Sequence, residues 1–398
     1  MLKDIKELIY IILNAIKKYF KTKKEPPLSY REYKKISTEK KFEDPIRKNI
    51  YEKVSLSEKQ ISEIDRLYIE NYGEKIPYIW HKHFTAFTGK FDSNYFPETL
   101  YIPEFEHYMN LNSNYAAVLE DKNFLPLLAA GVGINSPKTI LSCTKGFYYN
   151  SLTPLSKKDA VAYISDIGKA FVKPSTDSSS GEGCFVVDLK NGIDTISSKS
   201  AEKIIDEIGN DFCIQEIIVC SDSISKIYPH AVNTFRVITY RWKNEICIIP
   251  VIMRIGQGGS VVDNAHAGGM FIAVNNDGTL HETAFTEFKK EYKIHPDTGI
   301  VFNGYEIQNF KKIIDCAKKM HANIPQIGSV NWDFTIDNTE TPVLIEANVS
   351  GGSVWLSEMA HGCGPFGEKT PEILRWLKFM NQLPEKERKN YMFGLTKD

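Results

Sequence analysis

The stretch NWDFTIDNTETPVLIEANVSGG, residues 331–352, constrains this chain more than any other part of it. Two runs of apolar and β-branched residues flank a cluster of Asp, Asn, Thr and Pro that breaks strands and makes turns. The pattern predicts a hairpin. With its turn centred on Thr339 and Glu340, Asp333 stands directly opposite Glu346. Asn348 shares a face with Glu346, because strand side chains alternate. Two carboxylates and an amide oxygen then converge on one patch among apolar neighbours, Trp332, Phe334 and Ile336 on one strand and Val343, Leu344 and Ile345 on the other. Like charges directly opposite one another destabilise a sheet unless something neutralises them. A hard divalent cation takes oxygen donors, and Mg2+ typically combines few carboxylates with substrate phosphates. Asp333, Glu346 and Asn348 are therefore candidate Mg2+ ligands. The plainer alternative is an exposed polar face, which would more naturally mix its signs.

A second feature lies upstream. AFVKPSTDSSSGEGCFVV places Lys173 at the end of one strand, then a loop of small residues, then a strand from Cys184. Such a loop lets backbone N–H groups approach phosphate oxygens, and a lysine is a point charge suited to them. Ser179, Ser180, Gly181 and Gly183 are the candidate contacts, with a solvated hairpin loop as the alternative. The segment is no P-loop, since GxxxxGK[ST] is absent. It is no dinucleotide fingerprint, since a strand and not a helix follows.

Composition narrows the class without choosing a function. The 398 residues are 42% hydrophobic and 25% charged, which excludes a disordered chain or a small disulfide scaffold. Lys and Arg total 49 against 50 Asp and Glu, so no global basic excess points to nucleic acid. Seven cysteines without a CxxC pair suit a reducing, cytoplasmic compartment. Residues 1–25 read as an amphipathic helix with lysines at its C-terminal end. Its apolar run is too short to span a bilayer. It suits the inner face of an anionic membrane, or docking on its own domain or a partner.

Residues 26–115 read as mostly helical. Ser57 with Gln60 forms a capping-box pattern, and Gly73 stops that helix. His81 and His83 lie in a stretch more helical than extended, so a buried or surface pair is expected and not a metal site. From 116 the pattern alternates. Helices are expected from a cap at Asp121, from a cap at Ser156, and at 201–208, 310–320 and 371–380. Strands are expected at 170–173, 184–189, 212–217, 269–274, 329–336 and 343–349. Two long strands, 233–242 and 245–255, are joined by a Lys243-Asn244 turn. Arg236 and Arg254 sit inside them among apolar residues, and such a cation wants an anionic partner. A transferring phosphate, an acyl phosphate or a structural carboxylate would each serve. In DNAHAGG, residues 263–269, His266 is a candidate general base on a glycine-rich connection, where a turn-forming role for Asp263 and Asn264 is equally open.

The phosphate loop, its preceding lysine and the late acidic hairpin, in that order, resemble the ATP-grasp superfamily. EDKNFLPLLAAGVGINSP, FVKPSTDSSSGEG, IQEI, YPHAVNTFRVITYR, MRIGQGGSVVDNAHAGGMFIAV, HPDTGIVFNG and VNWDFTIDNTETPVLIEANVSGG together resemble its sugar-transfer-associated group over about two-thirds of the chain. The resemblance implies an α+β fold of two lobes clamping ATP, here with an N-terminal helical extension. The lobes would be 116–217 and 218–385. It implies a lysine pair on the phosphates at Lys122 and Lys173, and an adenine hinge at Gln215, Glu216 and Ile217. It implies Mg2+ at Asp333, Glu346 and Asn348. The expected activity is a carboxylate–amine ligase acting through an acyl phosphate in surface-polysaccharide work, with a small or sugar-linked carboxylate and an amine as partners. A phosphotransferase acting on a hydroxyl and a non-catalytic nucleotide-binding subunit are the rivals.

Overall fold

The structure is a computed structural model that describes residues 29–151, 153–176, 182–352 and 354–397. The amphipathic segment 1–25 and the loop residues Ser179, Ser180 and Gly181 lie outside the described residues. Among those described, no helix is long and apolar enough to cross a membrane. The seven cysteines form no disulfide.

Two antiparallel sheets organise the chain. The first contains β1 (Thr139–Thr144), β2 (Phe147–Asn150), β3 (Thr153–Leu155), β4 (Gly168–Pro174), β5 (Phe185–Lys190), β6 (Ile193–Asp194) and β7 (Phe212–Glu216), in the spatial order β3-β2-β1-β7-β4-β5-β6. Helices Lys157–Ile164 and Ala201–Ile208 carry the Ser156 and Ser200 caps and cover it. The second contains β8 (Thr234–Trp242), β9 (Glu245–Ile248), β10 (Ile252–Ile255), β11 (Met270–Ala273), β12 (Ala284–Phe285), β13 (Glu291–Tyr292), β14 (Ser329–Ile336) and β15 (Pro342–Asn348). Its order is β13-β12-β11-β10-β8-β14-β15, with β9 also on β8. Helix Phe310–Ala322 packs Ile313, Ala317 and Met320 into its core.

The expected strand 245–255 is two strands. Pro250 has no N–H for the ladder, so β9 ends at Ile248 and pairing with β8 resumes at Ile252. The helix expected from Asp121 starts at Leu125, with Pro126 in its first turn. Asp121 instead takes the backbone N–H of Asn123 at 2.7 Å. Leu119, Leu125, Ala129 and Ile134 pack into the core of the second sheet. The Lys122 N–H donates to Ser175 O, and the Asn123 side-chain amide donates to Cys143 O and Phe212 O, beside the first sheet, so the segment before β1 touches both sheets.

The N-terminal region is helical as its pattern suggests. The Ser57 and Gln60 capping box is formed in both directions, at 3.2 and 2.8 Å. His81 and His83 are buried in helix Ile79–Thr88. The region packs Ile64, Tyr68, Phe105 and Tyr108 against Ile238, Tyr240 and Trp242 of β8 and Trp376 of the last long helix. It is a wall of the second lobe.

Candidate functional site

β14 and β15 place the acidic pair. Asp333 is the register partner of Glu346, and Asn331 that of Asn348. Nearer the turn, however, Phe334 pairs with Leu344 and Ile336 with Pro342. The hairpin turns one-half residue earlier than a turn centred on Thr339 and Glu340, and a bulge at Ile345 restores the expected register. Asp333, Glu346 and Asn348 line one cavity of about 370 Å3 between the two sheets.

The wall facing them comes from the first sheet. Lys173, Gln215, Glu216 and Ile217 line the same cavity. Lys173 is 5% exposed, and among the described residues no carboxylate lies within ion-pair distance of it. Burial, with Lys122 nearby, pushes its pKa below the ordinary value. The Lys122 backbone N–H donates to Ser175 O at 2.8 Å, which ties it beside the end of β4. Its Nζ reaches Glu346 Oε1 at 3.0 Å. A lysine that sequence alone allows on the surface is thus only 6% exposed and spans the two lobes. Gly183 lines a different cavity with Pro174, Phe185 and Asp194.

Arg236 and Arg254 find a structural carboxylate. Arg236 grips Asp333 with Nε at 2.6 Å and Nη2 at 3.1 Å. Arg254 Nη2 reaches the same carboxylate at 3.0 Å, and its Nε lies 3.6 Å from Asp263. Burial alone would raise the Asp333 pKa, but the two guanidinium groups hold it below the carboxylate range. Burial pushes Asp263 up despite Arg254 and the hydrogen bonds from Thr234. The like-charge problem of the hairpin is therefore met by the protein's own cations, Arg236 and Arg254 on Asp333 and Lys122 on Glu346. Among the described residues no group of three or more His, Cys, Asp or Glu side chains is arranged to hold a metal. The expected oxygen set, two carboxylates and one amide, does face a single cavity, and the Asn348 side chain has no hydrogen-bond partner among the described residues. That donor chemistry fits a hard cation.

Some carboxylates that hold the walls of this region have no clear signal in the sequence. Glu106 accepts the N–H groups of Gly351 and Gly352, both at 2.8 Å, and so fixes the turn after β15. Burial pushes its pKa up to about 7. Glu120 accepts from Val349 N at 3.0 Å. Glu287 accepts from His266 Nδ1 at 2.6 Å and pairs with Arg47. The clue for Glu106 was an acid inside an aromatic run, YIPEFEHYM. Nothing local marks Glu287. His266 sits in a single 3-10 turn, Ala265–Ala267, capped by Asn264, and lines the main cavity with Asp263 and Asn264.

A family profile described as sugar-transfer associated ATP-grasp matches residues 103–371. The chain belongs to that family. No curated protein matches it. Among solved structures it is similar to an L-amino acid ligase from Bacillus licheniformis, at 14% identity, 61% of this chain, 43% of that one and a TM-score of 0.35. It is also similar to an N5-carboxyaminoimidazole synthetase from Staphylococcus aureus complexed with ADP, at 14% identity, 60% and 48% coverage and a TM-score of 0.36. D-alanyl-alanine synthetase A from Vibrio cholerae matches at 14% identity, 66% and 64% coverage and a TM-score of 0.40. The chain thus spans 43% to 64% of the length of these structures. In this ATP-grasp chain the cleft between the two sheets is lined by Asp333, Glu346 and Asn348 of the hairpin, by Lys173, and by Gln215, Glu216 and Ile217.

Proposed function

We propose that this ATP-grasp chain is an ATP-dependent carboxylate–amine ligase, and one observation carries the reading. Lys173 is a buried ammonium with no ion-pair partner among the described residues, and it faces two carboxylates across an open cleft. A buried charge without a partner is costly. A polyanion entering the cleft supplies that partner. A triphosphate between Lys173 and the acidic hairpin removes the cost on one side and accepts Lys122 from Glu346. Mg2+ held by Asp333, Glu346 and Asn348 would neutralise phosphate charge there. Gln215, Glu216 and Ile217 at the end of β7 are the wall against which the adenine would lie.

In the first half-reaction a carboxylate oxygen attacks the terminal phosphorus, and the bond to ADP breaks. Fixed cations in a water-poor cleft stabilise the charge that develops. Arg254, which Asp333 and Asp263 hold at the cavity wall, would meet the transferring group, and Arg236 would keep Asp333 in register. An amine then attacks the acyl carbon and phosphate leaves. The family's description, sugar-transfer associated, supports a sugar-linked carboxylate, and surface-polysaccharide work is the setting proposed for it.

Hydroxylamine tests this directly. ATP, Mg2+, hydroxylamine and a panel of uronic and amino acids are expected to give a hydroxamate with wild-type protein. Glu346→Ala is expected to give none, and chelation of Mg2+ to stop the reaction. A stable phosphorylated product in place of hydroxamate would make the protein a phosphotransferase, and no ATP turnover with any acceptor would make it a binding subunit.

A further inference from the structure

A second cavity of about 200 Å3 adjoins the main cleft, and His266 forms part of the wall of both. Its other walls come from the N-terminal region and the second lobe. Phe42, Phe84 and Trp355 supply apolar surface, and Lys41, Arg47, Glu98 and Glu287 supply charge. Lys41 Nζ reaches Glu98 Oε1 at 3.2 Å, and Arg47 pairs with Glu287. Glu98 is 3% exposed and uses one oxygen for Lys41.

His83 is the independent observation. It is 1% exposed and lines this cavity, and its Nδ1 has no hydrogen-bond partner. Burial and the nearby Arg47 push its pKa down to about 3, so the ring is neutral and one nitrogen is an acceptor. A buried polar atom without a partner costs stability that a bound donor returns. The cavity therefore offers acceptors (His83 and the second oxygen of Glu98) inside an aromatic shell, while both Glu287 oxygens are taken by Arg47 and His266. An ammonium group brings three N–H donors and one positive charge, and aromatic faces attract such a cation.

We propose that this second cavity seats the amine substrate and delivers its nitrogen into the main cleft past His266, which takes a proton from it. The proposal rests on the ligase reading above. The Glu287 carboxylate accepts from His266 Nδ1, which leaves Nε2 as the nitrogen for the incoming proton. Arg47 holds the far side of Glu287, which makes Glu287 and Arg47 positioning residues. The amine arrives as R–NH3+ and gives one proton to His266, which passes it to solvent. Its lone pair forms the C–N bond to the acyl carbon. The C–O bond to phosphate breaks, phosphate leaves with that electron pair, and the second nitrogen proton ends on it.

The test measures thermal shifts of the full chain with ADP and Mg2+ against glycine, L-alanine, ethanolamine and glucosamine, each beside its N-acetyl form. At least one free amine is expected to raise Tm, and its N-acetyl form is not. His83→Phe is expected to keep the parental Tm and the ADP shift, because an unpartnered buried polar atom is replaced by apolar surface, while losing the amine shift. Glu98→Gln is expected to weaken the amine roughly tenfold. In turnover, Glu287→Gln is expected to lower kcat for the amine roughly tenfold with KM held. A loss of the ADP shift in that variant would remove Glu287 from the mechanism. Amine shifts unchanged in His83→Phe and Glu98→Gln, or no amine shift where ADP gives one, would overturn the proposal. Hydroxamate formation separates the two levels. If wild type makes hydroxamate and no amine depends on this cavity, the cavity proposal alone fails. If it makes none with any carboxylate, the ligase reading fails.

Discussion

Two buried carboxylates show how differently one chemical group behaves here. Asp333 is charged because Arg236 and Arg254 surround it. Asp333→Asn leaves two buried guanidinium groups short of a counter-charge, and breaking a buried pair this way costs about 3–5 kcal/mol. The expected result is a lower urea midpoint with an unchanged slope, and an unchanged midpoint would show that the pair is not structural. Glu106 is the opposite case, since burial raises its pKa from 4.5 to about 7. A carboxyl raised on folding gives its full stabilisation below its ordinary pKa and loses it as pH rises through the folded one. Stability should therefore fall between about pH 4.5 and pH 7, by on the order of 3 kcal/mol. Glu106→Gln removes the titrating group, so its stability curve should be flatter across that window. An identical slope in the variant would assign the titration elsewhere.

At the scale of elements, turns and breaks decide where side chains end up. Gly269 closes the loop that carries Asp263 and His266. A Cβ there would stand 2.4 Å from Asp263 O and 2.9 Å from Asn264 O, and both are backbone atoms that cannot swing aside. Gly269→Ala should therefore move the loop, lower stability by about 1–3 kcal/mol and slow ATP turnover. A Tm equal to wild type would refute this. The acidic hairpin shows how far pattern reading reaches. Apolar alternation and turn residues give the strands and the pairing of Asp333 with Glu346. The bulge at Ile345 has no marker in composition, and the pairing holds because of it. Pro250 could have been read as a ladder break, since it has no N–H to offer.

For the whole molecule the cleft is the union of two sheets that share no strand. A ligand that bridges them should stabilise both. ATP with Mg2+ at a hundredfold excess over Kd is expected to add about 2.7 kcal/mol, seen as a rise in Tm. Lys173→Ala is expected to lose that rise while keeping its own unfolding cooperative. Slowed amide exchange in β4 and β15 together would show that the ligand touches both lobes. Protection of one lobe alone would exclude the bridging geometry. The N-terminal helices belong to this scale as well, because they bury one face of β8 and bring Lys41, Arg47, His83 and Glu98 to the wall beside the cleft.

The local order of residues determined the strands, the capped helices, the face on which Asp333 and Glu346 meet, and the need of Arg236 and Arg254 for an anion. These follow from periodicity and charge within a few residues of chain. Tertiary structure alone decided the partners: that the anion is Asp333, that Lys122 is buried against Glu346, and that Arg47 and Glu287 close around His266. Arg47 and Glu287 are separated by 240 positions. No short-range pattern encodes such a pair, because only the packing of the N-terminal helices on the second sheet brings the two charges together.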